Sequence, residues 1–196
     1  MAATSGRLGA RLFASVKGFA QRRPAVANSI TYGTILSVAE VMQQTIAGYE
    51  TYDWARVGRM AVIGGCFYGP IGFYWYRWLD RALPGTAKLT VMKKVVGDQL
   101  VSAPAFIAIF FVGSSVMERK KDPLAELKEK FAQTYTASCC FWPIAQTFNF
   151  FFLPSHMRVV YVASVSLVWS NFLCFMKRVG KSGEDEPIPV EAAPQV

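Results

Sequence analysis

From Thr134 to Leu153 the chain carries no ionisable group apart from one tyrosine and two cysteines. A helix needs about 20 apolar residues to cross a bilayer core, and this stretch meets that length. Gln146 and Asn149 nevertheless lie in its middle. On a helix Trp142, Gln146, Asn149 and Leu153 share one face, and an amide on that face must meet a partner helix or a wet cavity, because lipid offers no hydrogen bonds. Pro143 removes a backbone donor and frees a carbonyl near Cys139, which is tolerated where protein or water replaces the lost bond. Two readings stay open: the amides join helices, or they line an aqueous path.

The rest of the composition agrees with a membrane chain. Of 196 residues, 53% are hydrophobic, 14% aromatic and 17% charged, unlike an ordinary soluble domain. The fold class expected is all-α: a polytopic helix bundle of four to five apolar segments plus a short amphipathic surface helix. The formal charge of +8 lies in the N-terminal segment and the connections. That suits orientation by basic flanks and contact with anionic lipid more than nucleic acid, and no aromatic-and-basic stack of the RNA-binding kind is present. Cys66, Cys139, Cys140 and Cys174 sit in apolar segments without C-x-x-C spacing and read as buried small hydrophobes. With His156 the single histidine, no multi-histidine metal site is expected, and no cofactor.

Residues 1–24 hold five basic residues and no acid, with Leu8, Leu12, Val16 and Phe19 at helical spacing. This pattern suits a mitochondrial targeting segment or a retained helix lying on the membrane. A membrane domain is expected over 25–178, followed by a disordered, acidic, proline-containing tail over 179–196. The first apolar segment, about Ala25 to Ile46, contains Glu40 with Gln43 and Gln44 close by. A carboxyl at that depth faces a bundle interior or water, unless it lies near enough to the helix end to be solvated. The second, Val57 to about Leu79, carries Ala61, Gly65 and Gly69 at a spacing that lets another helix approach. Gly69-Pro70 predicts a kink, and the aromatic run from Tyr74 to Trp78 predicts a belt at the membrane interface. Asp98 and Gln99 are expected to open the third segment, and Asp80, Asp98, Gln99 and Arg158 to pin helix ends. Glu118 to Gln133, with Asp122 as N-cap and Pro123 after it, predicts a short surface helix whose charges form a solvated face. A last run, Met157 to Met176, includes Asn171. Lys177, Arg178 and Lys181 favour the same basic side as the N-terminus, hence an even number of crossings.

The ordered set Gln43-Gln44, Gly69-Pro70, Trp75-Tyr76 with Leu79-Asp80-Arg81, Pro84-Gly85, Lys94 with Asp98-Gln99, Pro104, Trp142-Pro143 with Gln146, Asn149-Phe150, Pro154, Arg158 and Trp169 resembles the Mpv-seventeen and peroxisomal-membrane-protein-twenty-two family. The resemblance covers roughly residues 25–178, and Arg81 to Gly85, Gly113 and Leu127-Lys128 with Lys130-Phe131 look closest to the Mpv-seventeen-like branch. Where the family usually has Gly-Asp in its first segment, this chain has Ala39-Glu40, which keeps the acid and loses the close-packing glycine. The resemblance implies an integral protein of the mitochondrial inner membrane, or else of the peroxisomal membrane. It also implies channel-like passage of small solutes, control of reactive oxygen species and mitochondrial DNA maintenance.

Two functions follow. In the first, small solutes or ions pass along Glu40, Gln43, Gln146, Asn149 and Asn171, in a homo-oligomer for which Ala61, Gly65 and Gly69 are one contact. In the second, a non-conducting scaffold or regulator acts through protein partners, and the same amides only join helices. An enzyme is not expected: the chain has no G-x-S-x-G, no phosphate loop and no metal cluster.

Overall fold

The structure, a computed structural model, describes residue 15 and residues 18–85, 87–152 and 155–178. Most of the N-terminal segment, Leu153, Pro154 and the tail over 179–196 lie outside the described residues, as do the side chains of Asn149 and Arg158. Among the described residues the chain is all-helical, with no strand. It forms α1 (Pro24–Ile46), α2 (Trp54–Val62), α3 (Gly69–Ala82), α4 (Lys88–Gly97), α5 (Ala103–Met117), α6 (Ala125–Phe152) and α7 (Ser155–Arg178). A π-helical turn, Ile63–Tyr68, fuses α2 to α3, and a second, Asp98–Ser102, fuses α4 to α5. From Pro24 onward the described residues thus form five helical runs.

Both π turns have the same cause. Pro70 and Pro104 stand at the start of the α-helical segment that follows each turn, and neither can donate a backbone N–H. The residue before each proline bonds five residues back instead of four, Gly69 N–H to the Gly64 carbonyl and Ala103 N–H to the Asp98 carbonyl. The helix therefore continues with one extra residue per turn at those points. Asp98 and Gln99 consequently sit in the middle of a continuous run, Lys88–Met117, and do not open a segment.

The surface helix expected over Glu118 to Gln133 is not a separate element. Its residues from Ala125 onward are the first turns of the 28-residue α6, which continues through the uncharged stretch and Pro143. Asp122 still caps the approach, its carboxylate accepting from Leu124 N–H at 2.9 Å.

The runs close into a ring. Next to α1 on one side lie α2 and α3, antiparallel to it; the π turn between them packs on α5 through Tyr68 and Phe106, α5 on α6, α6 on α7, and α7 returns to α1. Close approach between the first two runs depends on glycine. A Cβ on Gly64 would stand 2.3 Å from the Tyr32 carbonyl oxygen, and one on Gly69 2.4 Å from Ser29 Cα. Gly65 has more room, with Ser29 O at 3.5 Å. The Ala61, Gly65, Gly69 stripe is thus engaged within the chain, against α1.

The end of α7 lies beside the end of α1, since the Arg178 guanidinium donates to the Gln43 carbonyl at 2.9 Å. Pro24 is at the other end of α1, so the last helix finishes on the face opposite the N-terminal one. Lys177 and Arg178, expected to favour the basic side, are instead paired with the buried acids Glu126 and Glu40.

Polarity is distributed inside out. Glu40, Gln44, Ser114, Ser115, Thr134, Ser138 and Lys177 are buried, whereas Ile30, Phe67, Val101, Ile144 and Val168 are exposed around the outside of all five runs. Cys174 is buried, but Cys66, Cys139 and Cys140 face outward, against the expectation that all four are buried. Among the described residues Lys88–Met117 is the one run apolar enough by length and composition to cross a membrane unaided.

Candidate functional site: a polar seam closed at one end

All five runs contribute to a central cavity of about 80 Å³. Tyr32 comes from α1, Tyr68 and Tyr76 from the second run, Asp98, Gln99 and Ser102 from the second π turn, Ser138 and Trp142 from α6, and Ser166, Trp169 and Ser170 from α7. Tyr76, Asp98, Gln99 and Trp142 also line a larger cavity of about 300 Å³, which extends past Gln146 to Asp80, Gly85 and Lys94 near the α3–α4 turn. The π turn explains why so many polar groups converge here, because it aims consecutive polar residues inward where a regular helix would turn one away. The Asp98 carboxylate accepts from Trp75 Nε1 at 3.0 Å and from the hydroxyls of Tyr76 and Ser102. The Gln99 side chain accepts from Ser138 at 3.2 Å, and its carbonyl from the Tyr135 hydroxyl at 3.1 Å.

Toward the end of α7 the seam is closed, first by Leu36, Met60, Phe110 and Leu173, then by two buried charge networks. Adjacent residues of the last helical turn enter one each. Arg178 donates to Glu40 Oε1 at 2.8 Å, Arg56 stands 3.2 Å from the same oxygen, and Gln44 donates to it at 3.1 Å. Gln43 donates to Asn171 Oδ1 at 2.5 Å, fastening α1 to α7. Lys177, fully buried, pairs with Glu126 and lies 3.2 Å from Glu118. Glu126 also pairs with Lys120 and accepts from Ser115 at 2.9 Å. Lys130, only 5% exposed, donates to the Lys177 carbonyl at 3.2 Å. Burial pushes the Glu126 carboxyl up, but hydrogen bonds from Lys120 and Lys177 and the lysine charge outweigh it and hold it at about 2. Burial alone pulls Lys120 down, yet the two glutamates raise it above its ordinary value.

The five residues expected to line one path are therefore divided. Glu40, Gln43 and Asn171 meet in the closed end, while Gln146 lines the larger cavity, and the Asn149 side chain lies outside the described residues. Asp80, near the end of α3, pairs with Lys94 at 2.7 Å, and Asp98 and Gln99 line both cavities. Arg158 offers no described side chain. The charges of Glu118 to Gln133 are divided: Arg119, Lys121, Asp122, Lys128 and Glu129 are exposed, as a solvated face would be, whereas Glu126 and Lys130 are buried. Sequence reasoning passed over Ser102, Ser138, Ser166 and Ser170, each small and ordinary alone; their recurrence inside apolar helices was the available signal.

An Mpv17-like protein of Xenopus laevis is 34% identical over 161 residues, spanning 81% of this chain and 79% of that one. The chain belongs to the Mpv17 / PMP22 family. The family's own model matches residues 115–174, from the end of α5 through most of α7. The mitochondrial inner membrane protein Mpv17 of Bos taurus is 32% identical over 149 residues, 74% of this chain and 85% of that protein. PXMP2/4 family protein 4 of Dictyostelium discoideum is 31% identical over 159 residues, 78% and 86% of the two chains. No solved structure matches the chain. Within the Mpv17 / PMP22 match lie Glu118, Glu126, Ser138, Trp142 and Asn171; Lys177 and Arg178 stand just beyond it.

Proposed function

We propose that this member of the Mpv17 / PMP22 family passes small solutes through the seam between its helices, and that the structure is its closed form. The protein is one of the mitochondrial inner membrane, as the relatives' names indicate. In this reading all five runs cross the bilayer, with the residues from Glu118 to Gln133 outside its core. The observation that carries the reading is the meeting of polar side chains from every run in one cavity that shares Tyr76, Asp98, Gln99 and Trp142 with a second. Hydroxyls and amides there replace part of a solute's hydration shell, and Asp98 biases the path by charge. Passage requires the networks of Glu40 and Glu126 to part. No second copy is needed for the path, no catalytic step is assigned, and effects on reactive oxygen species and mitochondrial DNA follow from the solutes moved.

Closure of the seam by buried ion pairs favours one other reading, a non-conducting scaffold. Conductance of the full-length protein in planar bilayers separates the two, with Ser166→Leu to obstruct the seam and Arg178→Gln to loosen its closed end. Discrete openings that Arg178→Gln makes more frequent and Ser166→Leu suppresses are expected. Silence of wild type and Arg178→Gln, with helicity retained, overturns passage and leaves the scaffold.

A further inference from the structure

Asp98 is the acid at the junction of the two cavities, and its partners, Trp75, Tyr76 and Ser102, are neutral donors. None of these three hydrogen-bond donors carries a positive charge. Among the described residues the inner cavity has no Lys, Arg or His in its lining. Lys94 in the outer one is already matched by Asp80 at 2.7 Å. Asp98 is thus the acid of the two linings that has no cationic partner within them.

The walls around that charge are aromatic. Tyr32, Tyr68, Tyr76, Phe106, Trp142 and Trp169 line the inner cavity, and Tyr76 and Trp142 continue into the outer one. Aromatic rings attract cations, and a carboxylate among them is the arrangement that recognises ammonium groups with apolar substituents. At about 300 Å³ the outer cavity falls at the low end of roughly 300–1,000 Å³ for ligand pockets.

We infer that Asp98, with Tyr76 and Trp142, forms a binding site for a small organic ammonium ion. The inference rests on the passage reading in one respect, that solute reaches the seam from the Gln146 end. The test is calorimetric titration of the full-length protein in detergent with tetramethylammonium chloride, beside tert-butanol as a neutral probe of similar shape and sodium chloride at equal ionic strength.

Saturable binding of tetramethylammonium alone is expected, weakened at least tenfold by Asp98→Asn and several-fold by Trp142→Leu. Equal binding of tert-butanol, no saturation in wild type, or an affinity unchanged in folded Asp98→Asn overturns the site. The contrast between charged and neutral probes is read on wild type, so it holds even where a variant misfolds. Bilayer recordings on the same preparation keep the two claims apart. Binding without conductance removes passage and leaves the ammonium site; conductance without binding removes the site alone.

Discussion

Glu126 uses both carboxylate oxygens, for two lysines and a serine, and that arrangement has a pH signature. Its folded-state value of about 2 lies below the ordinary 4.5, so its stabilisation is complete above about pH 4.5 and is lost as pH falls toward 2. Thermal unfolding in detergent between pH 7 and 3 is expected to show a decline below pH 4.5 that Glu126→Gln flattens; an unchanged slope in the variant refutes the assignment. Glycine supplies a second test. Gly69→Ala forces a methyl against the α1 backbone and should cost about 1–3 kcal/mol or more. Gly65→Ala meets its nearest neighbour, the Ser29 carbonyl oxygen, only at 3.5 Å and should leave the melting temperature within about a degree or two of wild type, roughly 0.5 kcal/mol or less. Individual residues were unevenly legible in the sequence. Glu40 stands out as an acid in an apolar run, but its partner Arg178 is 138 positions away and no local pattern announces it. Lys130 and Glu126 were misread because their spacing matches an exposed amphipathic helix, and only the arrival of α7 buries them.

At the scale of elements, the helices were legible and their joints were not. Pro70 and Pro104 signal disturbance, yet a kink and a π turn answer the same missing donor, and the choice depends on which polar groups the neighbouring helix can satisfy. Fusion of the charged stretch to α6 was hidden for a related reason: a change in composition suggests a boundary, while the backbone has nothing at Gln133 to stop it. The last turn of α7 is the element most exposed to perturbation. Lys177→Met leaves Glu118 and Glu126 without their buried cation and is expected to cost about 3–5 kcal/mol. Lys94→Met breaks the more exposed pair with Asp80 and should cost about 1 kcal/mol or less. Denaturant titration of the two variants checks the contrast, and similar losses for both would contradict the burial of the α7 network.

For the whole molecule, five runs in a ring put Pro24 and Arg178 on opposite faces. Small epitope tags at the two ends of the chain, probed in mitochondria with the outer membrane opened, are expected to differ in protease access; protection or cleavage of both together refutes five crossings. Counting charges alone pointed the other way, because a basic residue spent on an internal acid looks the same in a sequence as one that faces the matrix. The sharing of Glu40 between Arg56 and Arg178 also constrains how such a chain can change. Losing the acid strands two cations, and losing one arginine still leaves the other, so the order of replacement matters and single steps meet resistance that paired steps avoid. Glu40→Gln combined with Arg178→Gln should therefore be less damaging than the two separate losses added together, which makes the closed end a record of residues that can be exchanged only in company.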